Sequence, residues 1–175
     1  MKVLLHICCG VCAAGAAERL ISEGHQVTGY FYNPNIHPEV EYLRRLDASR
    51  KAAQGLGFQL VEGPYTPDDW FAATDALKDE PEGGKRCDIC FRYRLQQTFL
   101  YLPESGCDMF ATTLTISPHK PAAVINRIGT ETGGDKYFER DFKKKAGFQR
   151  AGILSRELDI YRQDYCGCLY SIRVD

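Results

Sequence analysis

The hydrophobic pattern of the first sixty residues alternates between short apolar runs and longer segments with helical spacing. The apolar runs predict strands at residues 2–7, 26–32 and 58–61. Helices are predicted between them, at residues 12–23 and 38–54. This β-α-β-α-β order predicts an α/β fold with a parallel sheet and right-handed crossovers.

The pattern is less regular in the remainder of the chain. Further helices are predicted at residues 68–77, 87–102, 122–128 and 155–163. A fourth strand is predicted at residues 109–114, and residues 137–142 are expected to form a fifth strand or an extended loop. The length predicts a single domain spanning residues 1–175, in which the segment from about 150 to 175 carries the last cysteines.

Composition and charge exclude several classes of protein. The hydrophobic fraction of 44% is enough for an ordinary core, and the net charge of −1 gives no global attraction to nucleic acid. No apolar run is long enough to span a membrane, and no signal peptide is recognisable. We therefore expect a cytoplasmic protein without membrane contact, in which thiols stay reduced.

Seven of the eight cysteines fall into three short clusters, at residues 8–12, 87–90 and 166–168. Clustered thiolates that lie far apart in sequence usually converge on one soft metal centre. Cys8 and Cys9 follow the first strand, at the sheet edge where ligands bind in α/β folds. Gly10 is expected to form the turn that brings this adjacent pair together.

Four thiolates, from Cys8, Cys9, Cys87 and Cys90, are the usual ligand set of a 4Fe–4S cluster. A structural zinc site takes the same ligands, and spacing alone leaves the two about even. The position at the ligand-binding edge favours a functional centre.

The other cysteines permit several roles. A disulfide between Cys166 and Cys168 would be strained and easily reduced, as in catalytic or regulatory pairs, although both could be free thiols or metal ligands. Cys12 could face the same site or be a buried free cysteine. Cys107 is isolated and is assigned no role.

Polar residues near the predicted sheet edge are candidates for substrate binding. Each could also be an ordinary turn or surface residue, and His37 is expected in a solvated loop. Basic residues could form a phosphate-binding face or be solvated surface charges, and Tyr161, Tyr165 and Tyr170 could stack on a base or belong to the core. The substrate-binding candidates are Asn33, Asn35, Thr113, Ser117, Lys143, Lys144 and Arg162.

Two nucleotide-binding motifs are absent. The sequence has neither the glycine-rich dinucleotide fingerprint nor the Walker lysine motif. No nicotinamide or flavin site is therefore predicted, and electrons are expected from an external donor.

Several segments together resemble the QueH-type epoxyqueuosine reductases, over about residues 6–171. They include His6-Ile7-Cys8-Cys9, Tyr32-Asn33-Pro34-Asn35, Arg86-Cys87 with Cys90, Ser117-Pro118 with Lys120, Asp141-Phe142-Lys143-Lys144, and Tyr165-Cys166-Gly167-Cys168. One departure is Gly10-Val11, where the family often has Ala-Pro.

The resemblance implies reduction of epoxyqueuosine to queuosine at the wobble position of tRNA, the last step of queuosine biosynthesis, without cobalamin. It implies a Rossmann-like fold of the adenine-nucleotide α-hydrolase-like type. It also implies a 4Fe–4S cluster on Cys8, Cys9, Cys87 and Cys90, and a redox-active pair at Cys166 and Cys168. An additional iron is implied as well, with Cys12 as its candidate ligand.

Two other functions are compatible with the residues. One is an iron–sulfur-dependent tRNA sulfurtransferase, although its usual Ser-Gly-Gly-x-Asp-Ser loop is replaced here by residues 6–10. The other is a non-enzymatic, zinc-stapled RNA-binding module.

Overall fold

The computed structural model describes residues 1–172 and contains a four-stranded parallel sheet with the strand order β3-β2-β1-β4. The strands are β1 (Lys2–His6), β2 (Gln26–Phe31), β3 (Gln59–Glu62) and β4 (Met109–Thr112). The helices are α1 (Gly10–Ser22), α2 (Glu39–Leu56), α3 (Pro67–Thr74), α4 (Lys85–Ser105), α5 (Ala122–Gly133) and α6 (Gly147–Glu157). Short 3₁₀ helices span Asp75–Leu77, Thr113–Ile116, Gly134–Lys136 and Leu169–Ser171. The predicted Rossmann-like α/β fold is confirmed.

The central strand, β1, pairs with β2 on one side and with β4 on the other. Val3 lies opposite both Val27 and Met109, and the side chains of Val3, Leu4 and Leu5 are fully buried. Because β1 is buried on both faces of the sheet, its sequence is a continuous apolar run and does not alternate with polar residues.

Helices pack in two groups around this sheet. Helix α1 packs against α2 and α6, whereas α4 packs against α5 and α3. Right-handed crossovers that progress in opposite directions from β1 place their helices on opposite faces of a sheet. The crossovers that contain α1 and α2 therefore lie on one face and that of α4 on the other, and α5 and α6, which follow the last strand, pack onto α4 and α1.

Gly10 is the first residue of α1 and does not form a separate turn, contrary to the expectation from its sequence position. A Cβ atom on Gly10 would lie 2.5 Å from the backbone carbon and oxygen of Ala48 in α2. Glycine therefore allows the close approach of these two helices.

The second half of the chain departs further from the sequence pattern. The prediction of a helix at residues 155–163 is wrong in its bounds. Helix α6 spans Gly147–Glu157, and the chain after it is irregular. Residues 137–142 contribute an isolated bridge between Phe110 and Tyr137, and no fifth strand is seen within residues 1–172. Within the same range, no helix is long and apolar enough to cross a membrane.

Candidate active site

The site lies where the strand order reverses, between β1 and its neighbour β4. Crevices at such switch points, outside the carboxyl ends of the strands, are the usual ligand sites of open α/β sheets. Cys8 follows β1, and Thr113 follows β4. The Cys8 N–H donates to Thr113 Oγ1 at 3.1 Å, and that hydroxyl donates to Cys8 Sγ at 3.3 Å. These two bonds join the loops on either side of the crevice.

Three buried thiols form a compact group at the start of α1. The sulfurs of Cys8, Cys9 and Cys12 all lie within 4.8 Å of one another, and those of Cys8 and Cys9 are 4.0 Å apart. Cys9 caps the helix, and its sulfur accepts a hydrogen bond from the Cys12 N–H at 3.4 Å. Sulfurs bound to one tetrahedral metal ion, with bonds of about 2.3 Å, lie roughly 3.8 Å apart. The spacing therefore suits a shared metal.

Hydrogen bonding within this group makes the three thiols unequal. Bonds with Cys12 and Cys9 hold the pKa of Cys8 well below its usual range, although burial opposes the shift. The same interaction with Cys8 raises the pKa of Cys12 well above its usual range. Cys8 is therefore the thiol of this group that most readily becomes a thiolate.

Cys87, Cys90, Cys166 and Cys168 form a second thiol group, near the start of α4. The Cys87 sulfur accepts a hydrogen bond from the Gly83 N–H at 3.2 Å, and Cys90 packs against Trp70 and Cys168. Burial raises the pKa of Cys87, and the nearby thiols of the same group add to this shift. The structure thus brings the C-x-x-C and C-x-C motifs together, and all eight cysteines of the chain are free thiols.

The C-x-C turn is shaped by Gly167, whose φ is +136°. A side chain at this position would meet Arg45 Nη1 at 3.0 Å and the side chain of Ile36 at 3.3 Å. Arg45, which is buried, donates to the carbonyl oxygens of Cys166 at 2.8 Å and Tyr165 at 3.1 Å. Arg45 therefore holds the turn through its backbone carbonyl groups, and the side chains of both cysteines remain available for reaction.

A cavity of about 560 Å³ opens beside the two thiol groups. This volume falls in the range of small-molecule sites. Its wall includes Cys12, Ser117, Lys120, Phe148, Arg162 and Cys166. One thiol from each group therefore faces the same space.

Lys120 is a site residue that the sequence argument identified only as part of a family motif. Burial of its ammonium group lowers its pKa, but the thiols of Cys166, Cys8 and Cys12 outweigh this effect and raise it. Lys120 thus places a positive charge between the two thiol groups. Apart from the family motif, nothing in the sequence distinguishes a single lysine in a polar loop from an ordinary surface lysine.

Two buried donors near the thiols lack partners. Arg94 donates to Asn33 Oδ1 at 3.2 Å, but its Nε has no hydrogen-bond partner within residues 1–172. The Nε1 of Trp70 also lacks a conventional hydrogen bond, yet it is close enough to Cys90 to lower its pKa, against the larger effect of burial. A buried cation and unused N–H groups suit an anionic metal–thiolate centre. The chemistry of these residues therefore fits the implied cluster, whereas the sulfurs of Cys8 and Cys9 group with that of Cys12 and not with those of Cys87 and Cys90.

His6 belongs to the family motif and is fully buried. Its Nδ1 lies 2.9 Å from Thr112 Oγ1, and its Nε2 lies 3.2 Å from the Tyr32 carbonyl oxygen. Burial, together with the charge of Arg94, lowers its pKa to about 3. His6 is therefore neutral and joins the ends of three strands below the site.

The predicted substrate-binding residues fall into three groups. Ser117 and Arg162 line the cavity. Lys144 is exposed on a surface turn. The other four are buried or engaged within the protein: Asn33, Asn35, Thr113 and Lys143.

Two of these internal residues have clear structural contacts. Asn33 donates to the Ile7 carbonyl oxygen at 2.8 Å. The Lys143 ammonium donates to the carbonyl oxygens of Thr115 at 3.1 Å and Lys120 at 2.9 Å. Lys143 therefore supports the loop that carries Lys120.

His37 does not lie in a solvated loop, and that expectation is wrong. It is buried and stacks on Phe71 with ring centroids 4.5 Å apart. Its ring Nδ1 accepts from the Leu169 N–H at 3.3 Å, and its backbone N–H donates to the Gly167 carbonyl oxygen at 2.8 Å. His37 thus anchors the C-terminal segment.

The arginines do not form one phosphate-binding face. Arg45 and Arg94 are buried, and the exposed Arg50 pairs with Glu62 at 2.7 Å. The three tyrosines of the last segment make internal contacts: Tyr161 donates to Glu41, Tyr165 donates to the His37 carbonyl, and Tyr170 lies against Arg86.

Comparison with known proteins identifies relatives of the chain. Residues 3–174 match the family model described as epoxyqueuosine reductase QueH. The chain is 40% identical to the epoxyqueuosine reductase QueH of Streptococcus pyogenes serotype M1, over 99% of this chain and 71% of the relative.

Two solved structures share the fold at low identity. A predicted tRNA methyltransferase subunit from Methanocaldococcus jannaschii aligns with a TM-score of 0.59 and 15% identity, over 90% of this chain and 76% of that one. The U34-tRNA thiolase NcsA from Methanococcus maripaludis, solved with its 4Fe–4S cluster, aligns with a TM-score of 0.55 and 16% identity, over 99% and 62%. These two support the fold alone. The match to the family model over nearly its whole length shows that the chain belongs to the QueH epoxyqueuosine reductase family.

Proposed function

We propose that this protein reduces epoxyqueuosine in tRNA to queuosine. The reaction removes the epoxide oxygen as water, and it consumes two electrons and two protons. The observation that carries the proposal is that members of two thiol groups, Cys12 and Cys166, face one cavity at the switch point of a chain in this family.

We infer that Cys8, Cys9, Cys87 and Cys90 hold a 4Fe–4S cluster. When bound, such a cluster supplies single electrons to the site. Cys12 is the member of its thiol group that lines the cavity. This position supports Cys12 as the residue that would hold an additional iron.

Cys166 and Cys168 can supply the electron pair. Oxidation of this dithiol to a disulfide releases two electrons and two protons, which balances conversion of the epoxide into an alkene and water. Cys166 faces the cavity, whereas Cys168 is buried behind it. An external reductant then restores the dithiol.

Lys120 contributes charge on the cavity wall. Its ammonium group can donate a hydrogen bond to the epoxide oxygen and stabilise negative charge that develops there. Because the substrate is part of tRNA, we place the reaction in the cytoplasm.

The first experiment is anaerobic purification, with iron, sulfide and zinc analysis, followed by an assay with epoxyqueuosine-containing tRNA and a chemical reductant. We expect at least about four irons and four sulfides per chain and formation of queuosine. Stoichiometric zinc without sulfide would favour the RNA-binding module. Activity that requires ATP and adds sulfur to tRNA would favour the sulfurtransferase.

Two variants separate the roles of the cysteines. Cys12→Ser should lose only the iron beyond the cluster. Cys168→Ser should retain all metal but lose multiple turnover. Full multiple turnover by Cys168→Ser would remove the dithiol from the reaction.

A further inference from the structure

Phe148 is an exposed aromatic residue in the wall of the catalytic cavity. Its side chain is 38% exposed, and within residues 1–172 it is not part of the hydrophobic core. The cavity that it lines also contains the reactive-site residues Cys12, Cys166 and Lys120. An aromatic ring at this position contributes little to the core and is available to a ligand.

The backbone before Phe148 is strained. Lys145 and Ala146 both have φ of +58°, in the left-handed region that residues other than glycine rarely adopt. Gly147 follows, and a Cβ atom there would lie 1.8 Å from the Phe142 carbonyl oxygen. Strain of this kind persists where surrounding contacts enforce it, and it is concentrated at functional sites.

Contacts from two other parts of the chain, at Arg19 and Thr115, hold this turn. Arg19 donates to the carbonyl oxygens of Asp141 at 3.3 Å and Lys144 at 3.4 Å. Phe142 is buried, and its N–H donates to Thr115 Oγ1 at 3.3 Å. These contacts hold the turn that leads to Phe148 at the cavity wall.

Basic residues lie on the wall of the same cavity and on the turn before Phe148. His119, Lys120 and Arg162 lie on the cavity wall, and Lys144 and Lys145 are exposed on the turn. Aromatic rings combined with cationic side chains are the usual means of binding unpaired nucleotides, because bases stack on the rings and phosphates pair with the cations. A base that is modified by an enzyme must also leave its stack to enter a cavity.

We infer that Phe148 stacks on an unpaired nucleobase of the tRNA anticodon loop and so holds the substrate at the cavity mouth. This inference rests on the proposed function, since it takes the RNA substrate from it. It assigns to Phe148 a role in binding and none in electron transfer.

The test compares Phe148→Ala and Phe148→Tyr with the wild-type holoenzyme, in binding of a fluorescent anticodon stem-loop RNA and in steady-state reduction of epoxyqueuosine-containing tRNA. Phe148→Ala should bind the RNA about tenfold more weakly, equivalent to ~1.4 kcal/mol, with a raised KM and a kcat within about twofold of wild type. Phe148→Tyr should retain binding, because it keeps the ring. Leu100→Ala is the matched control, since Leu100 is 63% exposed on α4 and does not line the cavity.

Three outcomes would overturn the inference: wild-type-like binding by Phe148→Ala, equal loss in both Phe148 variants, or no binding of the stem-loop by the wild type. A wild-type protein that binds the stem-loop through Phe148 but forms no queuosine would instead overturn the proposed function. The visible spectrum should be the same in all variants, which shows that the metal site is intact.

Discussion

Trp70 is the only tryptophan of the chain, and its side chain is fully buried against Cys90 and Cys168. Its Nε1 has no hydrogen-bond partner within residues 1–172 and lies near the Cys90 thiol. An N–H group that donates to a thiolate of the proposed cluster stabilises the more negative, reduced state and raises the reduction potential. Trp70→Phe should therefore lower the potential of the proposed cluster. One net hydrogen bond of about 0.5–1.5 kcal/mol corresponds to roughly 20–60 mV for one electron.

The measurement is a redox titration of the anaerobic protein followed by visible absorption. Iron and sulfide contents should match those of the wild type, so that the potential is compared at equal loading. Phe71→Leu, on the same helix, is the control, because Phe71 carries no N–H on its side chain. Equal reduction potentials in wild type and Trp70→Phe would contradict the role of the Trp70 N–H as a hydrogen-bond donor to the cluster.

Tyr137 offers a residue-scale test of a buried hydroxyl. It donates to Asn126 Oδ1 at 2.8 Å, and burial raises its pKa. Tyr137→Phe should lower the free energy of unfolding by about 1–3 kcal/mol at pH 8, because Asn126 loses its partner. Above pH 10 the unfolded wild-type chain loses the Tyr137 proton before the folded chain does, so that wild-type stability falls with rising pH.

This linkage contributes about 1.4 kcal/mol per pH unit, and the Phe variant lacks it. The difference in the free energy of unfolding between wild type and Tyr137→Phe should therefore become smaller above pH 10. Urea unfolding at pH 8 and at higher pH measures it, and parallel pH profiles would refute the argument.

At the scale of elements, the contact between α1 and α2 depends on Gly10. Gly10→Ala places a methyl group against the backbone of Ala48, and overpacking of this kind costs about 1–3 kcal/mol. Gly152→Ala in α6 is the matched control, because its nearest neighbour would be Arg162 Nη1 at 3.7 Å. The control should gain about 0.5–1 kcal/mol from helix propensity. Urea unfolding measures the stability of both variants. Equal changes in the free energy of unfolding would show that the contact between α1 and α2 does not require glycine at position 10.

At the scale of the whole molecule, Arg45 docks the C-terminal segment onto α2. It pairs with Glu41 at 2.6 Å and donates to the carbonyl oxygens of Tyr165 and Cys166. Arg45→Lys keeps the charge but cannot make these bonds together. Loss of a charged hydrogen bond worth about 1.5–3 kcal/mol should speed amide hydrogen exchange in residues 161–171 about ten- to hundredfold.

Exchange in β1 should remain unchanged in Arg45→Lys, and Arg50→Lys at an exposed ion pair is the control. Uniform acceleration throughout the chain would indicate global destabilisation and contradict local docking. The prediction that residues 1–175 form one domain is tested by the same exchange data, since one domain has a common slowest-exchanging core.

The sequence by itself determined the α/β class, the parallel sheet and the position of Cys8 and Cys9 at its edge. These features depend on local periodicity and on the short distance from β1 to α1, so that neighbouring residues suffice to predict them. The C-x-x-C and C-x-C motifs are equally visible in the sequence.

Only the tertiary structure decided which groups surround the thiols. Arg45 and Cys166 are 121 residues apart, and Thr113 and Cys8 are 105 apart; no local pattern predicts such pairs. The left-handed turn before Phe148 is likewise imposed by contacts from Arg19 and Thr115, against the preference of its own residues. Long-range packing, which can outweigh local propensity, therefore determined the chemical surroundings of the site.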